Sequence, residues 1–89
     1  MKIGLSIPDF TWKGGARHLG GTLARIATTA DQAGFEAITV MDHFWQIPVN
    51  GPAENEMLEG YSALAFMAAV TSRVKLGTLV TGAVYRHPG

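Results

Sequence analysis

The sequence predicts an α/β fold built on a parallel sheet. Strand-like and helix-like patterns alternate along the 89 residues, the connections are long enough for crossovers, and no two-residue hairpin signal joins any pair of strands. The expected order is strand, helix, strand, helix, strand. Right-handed crossovers bring the carboxyl ends of such strands to one edge, whether the sheet closes into a barrel or stays open and doubly wound.

Each element has its own signal. Lys2 to Ile7 is apolar and stops at Pro8-Asp9, where proline has no amide to give a ladder, so it reads as the first strand. Phe10 to Gly21 contains Gly14, Gly15, Gly20 and Gly21, shows no period and reads as a loop. Thr22 offers an N-cap hydroxyl, and Leu23, Ile26, Ala27, Ala30 and Ala33 recur at helical spacing, predicting a helix that Gly34 stops. Phe35 to Met41 carries β-branched residues and ends at Asp42-His43, as a strand buried on both faces does.

Phe44 to Met57 holds Pro48 and Asn50-Gly51-Pro52 and reads as a long loop, a length that in compact domains usually signals function. Leu58 to Ser72 is rich in alanine, leucine and methionine and predicts the second helix. Tyr61, Leu64, Ala65 and Ala68 are expected on one face, with Tyr61, Phe66 and Met67 in the core. Val74 to Thr81 reads as the third strand, interrupted by Gly77, and Gly82 to Gly89 leaves it as a loop containing Arg86-His87-Pro88.

Composition excludes several classes of function. The 7 basic residues balance 7 acidic ones with no run of like charge, which argues against a nucleic-acid groove or an anionic membrane surface. There is no cysteine, so disulfides, thiolate metal sites and a cysteine nucleophile are out. No apolar run approaches the roughly 18 residues of a membrane span, and the amino terminus is too short in apolar residues for a signal peptide. A cytoplasmic location is the expectation. His18 and His87 lack acidic companions at ligand spacing, and Glu54, Glu56 and Glu59 form no carboxylate pair.

The residues that could carry chemistry cluster at the strand ends. His43 ends a buried strand beside Asp42 and two aromatics, where an imidazole is titratable near neutral pH and partly desolvated. It is either a proton donor or acceptor, or a histidine packed and held by Asp42. A direct contact between these neighbours requires the strand to have ended, because adjacent strand residues face opposite ways. Phe44 and Trp45 either stack on a flat ring and line a pocket, or cover the mouth of the core. Glycine within and after the third strand, at Gly77 and Gly82, signals a bulge or close approach to a ligand, or plain termination. Gly14 to Gly21 matches no nucleotide fingerprint.

Taken as an ordered set, Ile38 to Trp45, Met57-Leu58-Glu59, Arg73 to Thr81 and Tyr85-Arg86-His87-Pro88 resemble the luciferase-like monooxygenase superfamily, and within it the coenzyme F-420-dependent oxidoreductases. The resemblance implies a TIM (β/α)8 barrel with a cofactor ring at the carboxyl face. It implies that Asp42 and His43 sit beside a deazaflavin ring, with His43 moving a proton, and that Trp45, with Phe44, lines the substrate side. After the third strand it implies a bulge with a non-prolyl cis peptide near Leu79-Val80, so that Leu79, Val80 and Thr81 back the ring.

Coenzyme F-420 is the cofactor implied, with FMN as the alternative, and a small organic molecule as the substrate. A barrel of this type needs about 250 residues. Residues 1–89 are therefore expected to be the N-terminal part of a single barrel domain, inactive alone, from a parent enzyme that is a homo-oligomer, most simply a dimer. The alternative is a non-catalytic half-barrel that binds or assembles.

Overall fold

The structure is a computed structural model and describes residues 2–85 and 87. Arg86 and Pro88, named above in the last loop, lie outside the described residues. Strands β1 (Gly4–Ile7), β2 (Ala37–Val40) and β3 (Lys75–Thr78) alternate with helices α1 (Ala16–Ala33) and α2 (Gly60–Val70), and a short 3-10 turn spans Ala83–Tyr85. The sheet is parallel in the order β1-β2-β3. This is the β-α-β-α-β order on a parallel sheet that the alternation predicted, and it agrees with the opening portion of the TIM barrel that the resemblance implied.

Register explains which face is buried. Leu5, Ile38 and Leu76 stand in one row and Ile7, Val40 and Thr78 in the next. Both rows point to one side of the sheet, because residues two apart share a face. Leu23, Ala27 and Ala30 of α1 and Met67 of α2 join Ile7, Ile38 and Val40 in one core. The other face carries Ser6, Thr39 and Gly77 in register. β2 is thus buried on one face and half-buried at Ala37 and Thr39, where burial on both faces was expected. Right-handed crossovers set both helices on the same side and leave the opposite face to small and polar residues.

Helix α1 begins at Ala16, a turn and a half before Thr22, and Gly15 is its N-cap with no side-chain cap. The buried stripe is Leu19, Leu23, Ala27 and Ala30. Burying Leu19 repays the roughly 1 kcal/mol that each of Gly20 and Gly21 costs inside a helix. The end is where the sequence placed it. Gly34 adopts φ 86°, ψ 21°, and the Phe35 N–H donates to the Ala30 carbonyl at 3.1 Å, closing the last turn.

Helix α2 is shorter than expected at both ends. Glu59 caps it, its carboxylate accepting the Ser62 N–H at 2.8 Å. Its buried residues are Gly60, Ala63 and Met67. Tyr61 and Phe66, expected in the core, are 44% and 41% exposed, and Ala65 and Ala68 are exposed too. The helix is apolar all round, so its period could not say which side would face the sheet.

The early end of α2 has a specific cause. Asp31, on the last turn of α1, accepts the backbone N–H groups of Ser72 at 3.1 Å, Arg73 at 2.9 Å and Val74 at 2.8 Å. One carboxylate thereby fixes the approach to β3. The bond from Val74, then that from Arg73, lowers the Asp31 pKa from its ordinary 3.8.

Because Asp31 is more acidic folded than unfolded, its stabilisation is complete above pH 3.8 and is lost as pH falls through the depressed folded value. Asp31→Asn should lower the thermal midpoint at neutral pH and flatten the acid limb over the range that runs down through pH 3.8. Thermal melts across that range check it, and a variant that melts like the parent at every pH removes the clamp.

Candidate functional site

Ile7, Val40 and Thr78 are aligned across the sheet, so the segments that follow them leave by the same edge. Pro8-Asp9, Met41 to Trp45 and Leu79 to Gly82 therefore meet there. β2 ends at Val40, two residues before Asp42, so the backbone is free of the strand's alternation where the acidic and imidazole side chains occur.

Asp42 is buried, at 3% exposure. Its Oδ2 accepts the Gly82 N–H at 2.8 Å, a link between the loop after β2 and the loop after β3. Its Oδ1 lies against the first residue of α2. A Cβ placed on Gly60 would stand 2.8 Å from that oxygen and 3.5 Å from the Asp42 Cα. Close approach of α2 to the carboxylate requires glycine at position 60.

His43 is half-buried, and its Nδ1 is enclosed with no hydrogen-bond partner among the described residues. It is not bonded through that nitrogen to Asp42. A buried nitrogen without a partner costs about 1–3 kcal/mol, and native proteins leave few of them. Phe44 and Trp45, next in sequence, are exposed, and the Phe44 ring stacks on Tyr85 with centroids 4.2 Å apart and planes 28° apart. They do not seal the core.

The segment after β3 presents apolar side chains to the same edge. Leu79 and Val80 are 61% and 71% exposed, and the peptide between them is cis. The bond lies at the position that the resemblance indicated. The Leu79 N–H donates to the Val40 carbonyl at 2.9 Å. Thr81 Oγ1 shares hydrogen bonds with the Tyr61 hydroxyl, at 2.8 Å, and with Thr78 Oγ1.

Two residues of this edge escaped the sequence reading. Gln46 is buried, its Nε2 donating to the Pro8 carbonyl at 2.9 Å while its Oε1 accepts the Ile47 N–H at 3.0 Å. It stitches the long loop to the end of β1, and no spacing announces such a role. Tyr61 was assigned to the core and instead reaches Thr81. Asp9 is a loop brace: the Thr11 hydroxyl, 2.6 Å from its carboxylate, is the main cause lowering its pKa, and the Thr11 N–H adds a bond at 3.1 Å. Asp9-Phe10-Thr11 is the local signal for that turn.

The edge therefore offers a half-buried imidazole, two exposed aromatic rings and an exposed apolar step. Exposed aromatic and apolar side chains can meet the face of a planar ring. Among the described residues no group of His, Asp and Glu is placed to hold a metal ion, and no helix is long and apolar enough to cross a membrane.

Comparison with known proteins gives the same direction. The luciferase-like monooxygenase family matches over residues 1–89. An F420-dependent glucose-6-phosphate dehydrogenase of Tsukamurella paurometabola is 40% identical over 70 residues, which cover 73% of this chain and 18% of that protein. The chain thus spans under a fifth of that relative's length. No solved structure matches it significantly.

Asp42→Ala would leave the Gly82 N–H without its acceptor, and should cost about 1–3 kcal/mol. Asp42→Asn, which keeps an acceptor oxygen, should cost less. Urea unfolding midpoints read both, and equal midpoints for Asp42→Ala and the parent would show that the carboxylate holds nothing.

Proposed function

The chain belongs to the luciferase-like monooxygenase family, and on that premise we propose that residues 1–89 are the first strand units of one (β/α)8 barrel oxidoreductase. In this reading the complete barrel passes hydride between a deazaflavin, coenzyme F-420, and a small organic substrate. The observation that carries it is the meeting, on one strand edge, of half-buried His43 with the exposed, cis-linked Leu79-Val80 step. The name of the Tsukamurella paurometabola relative supports the choice of deazaflavin.

Each residue has a role in this reading. Val80 and Leu79 support one face of the ring, and Thr81 holds their segment to α2 and to the end of β3. Asp42 binds the segment's far end through Gly82 and so fixes the distance between the ring support and His43. His43 takes up or gives a proton at the imidazole, as a general acid or base. When bound, the deazaflavin supplies the ring carbon that gives or accepts hydride. Trp45 and Phe44 line the substrate side and keep water from it.

A second reading keeps the site and changes the cofactor. The family's description as monooxygenases supports FMN, which has a ring of the same shape for Leu79 and Val80 to back. The cytosol suits a chain with no cysteine, and a dimeric parent rests on the family resemblance alone.

The 89 residues carry one wall of the site. Expressed alone, they should show no micromolar binding of coenzyme F-420 in a fluorescence titration, while the full-length parent binds it. In that parent His43→Ala should lower kcat by about 10²–10⁴-fold, the usual span of general acid-base catalysis, without abolishing cofactor binding. Full turnover in His43→Ala would remove the proton role, and preferential reconstitution with FMN would decide for the second reading.

A further inference from the structure

Tyr61 enters the reading above only as the α2 end of the Thr81 bond, and burial does not account for its place, since it is 44% exposed. It sits in the first turn of α2, where the Glu59 carboxylate accepts its N–H at 3.4 Å and that of Ser62 at 2.8 Å. The same carboxylate accepts the Ser62 hydroxyl at 2.7 Å. The turn is therefore held before Tyr61 reaches out of it.

Its hydroxyl lies 2.8 Å from Thr81 Oγ1, and Thr81 Oγ1 is bonded in turn to Thr78 Oγ1 on the last residue of β3. A chain of hydroxyls thus runs from α2 to the end of β3 and brackets Leu79 and Val80. Backbone bonds hold the two ends of the segment, from Leu79 N–H to the Val40 carbonyl and from Gly82 N–H to Asp42. Leu79 and Val80 are themselves exposed, so packing within the described residues does not hold them. The hydroxyl chain is what ties the interior of the segment to a helix.

We propose that Tyr61 is a positioning residue for the ring-backing segment: through Thr81 it sets the height of Leu79 and Val80 on the carboxyl edge, and with it the fit of a planar cofactor ring. The inference rests on the ring-binding reading of this edge. Tyr61 acts through another residue and need not touch cofactor or substrate. Removing its hydroxyl deletes the bond to Thr81 and leaves the exposed ring and the Glu59 cap in place.

Full-length protein carrying Tyr61→Phe tests it by fluorescence titration with coenzyme F-420 and with FMN. For the ring that the parent binds, affinity should fall about three- to tenfold, the range of one ordinary hydrogen bond. Thr81→Val, which also loses the bond to Thr78, should fall at least as far, and Thr81→Ser should retain the parent's affinity. The Tyr61→Phe/Thr81→Val pair should be no weaker than Thr81→Val alone, since that variant already lacks the bond to Tyr61. Hydrogen exchange at the Val80 and Thr81 amides should quicken in Tyr61→Phe while exchange within α2 stays at the parent's rate.

Unchanged affinity in Tyr61→Phe, additive losses in the pair, or faster exchange throughout α2 would each overturn the proposal, the last by reducing Tyr61 to a general support of the helix. Failure of the underlying reading looks different. The unsubstituted protein would then bind neither ring, which overturns both, although exchange at Val80 and Thr81 would still report whether the hydroxyl chain restrains the segment.

Discussion

A carboxylate placed out of water must be met by donors or its burial is costly, and Asp42 meets that requirement with the amide of Gly82, forty residues further along. The rest of the edge depends on this bond. It closes the gap between the loop after β2 and the loop after β3, and it sets how closely the first turn of α2 can approach, because that turn rests on the other oxygen. With those pieces fixed, His43, the exposed aromatics and the Leu79-Val80 step leave the sheet by the same edge.

A second aspartate does the same work at the other end of the sheet. Asp31 gathers the amides that precede β3, and Asp42 takes the amide of the loop that follows it. β3 is thus pinned at both ends by carboxylates from segments made earlier in the chain. The division follows the logic of βα barrels, in which the amino-terminal face serves stability and the carboxyl-terminal face serves chemistry. Asp31 accepts its bonds from the backbone of Ser72, Arg73 and Val74 and from the Ser72 hydroxyl, whereas Asp42 lies among the residues to which a ligand role falls.

The sequence made some of this legible through mechanisms that act locally. Gly34 stops α1 because only a residue tolerant of positive φ closes the turn there, and that requirement can be read without the fold. The shared edge of Pro8, Asp42 and Gly82 follows from alternation and handedness. The start of α1 was hidden because Gly20 and Gly21 look like punctuation, and only the burial of Leu19, a tertiary fact, overrules them. The buried side of α2 was hidden because alanine, leucine and phenylalanine surround it on all sides. Gln46 and Tyr61 were hidden for another reason. Their partners, Pro8 and Thr81, lie 38 and 20 residues away, and no periodicity reports a bond across such distances.

Gly60 carries a consequence of its own. It has no side chain, donates nothing to a ligand and stands outside every list of chemical groups, yet its missing Cβ is the space that the Asp42 carboxylate occupies. Any larger residue must push the carboxylate away from Gly82 or lift the helix from the sheet. In a survey of tolerated substitutions, position 60 would be as intolerant as the residues that do the chemistry. Intolerance there would record the shape of a neighbour's seat and carry no information about reactivity.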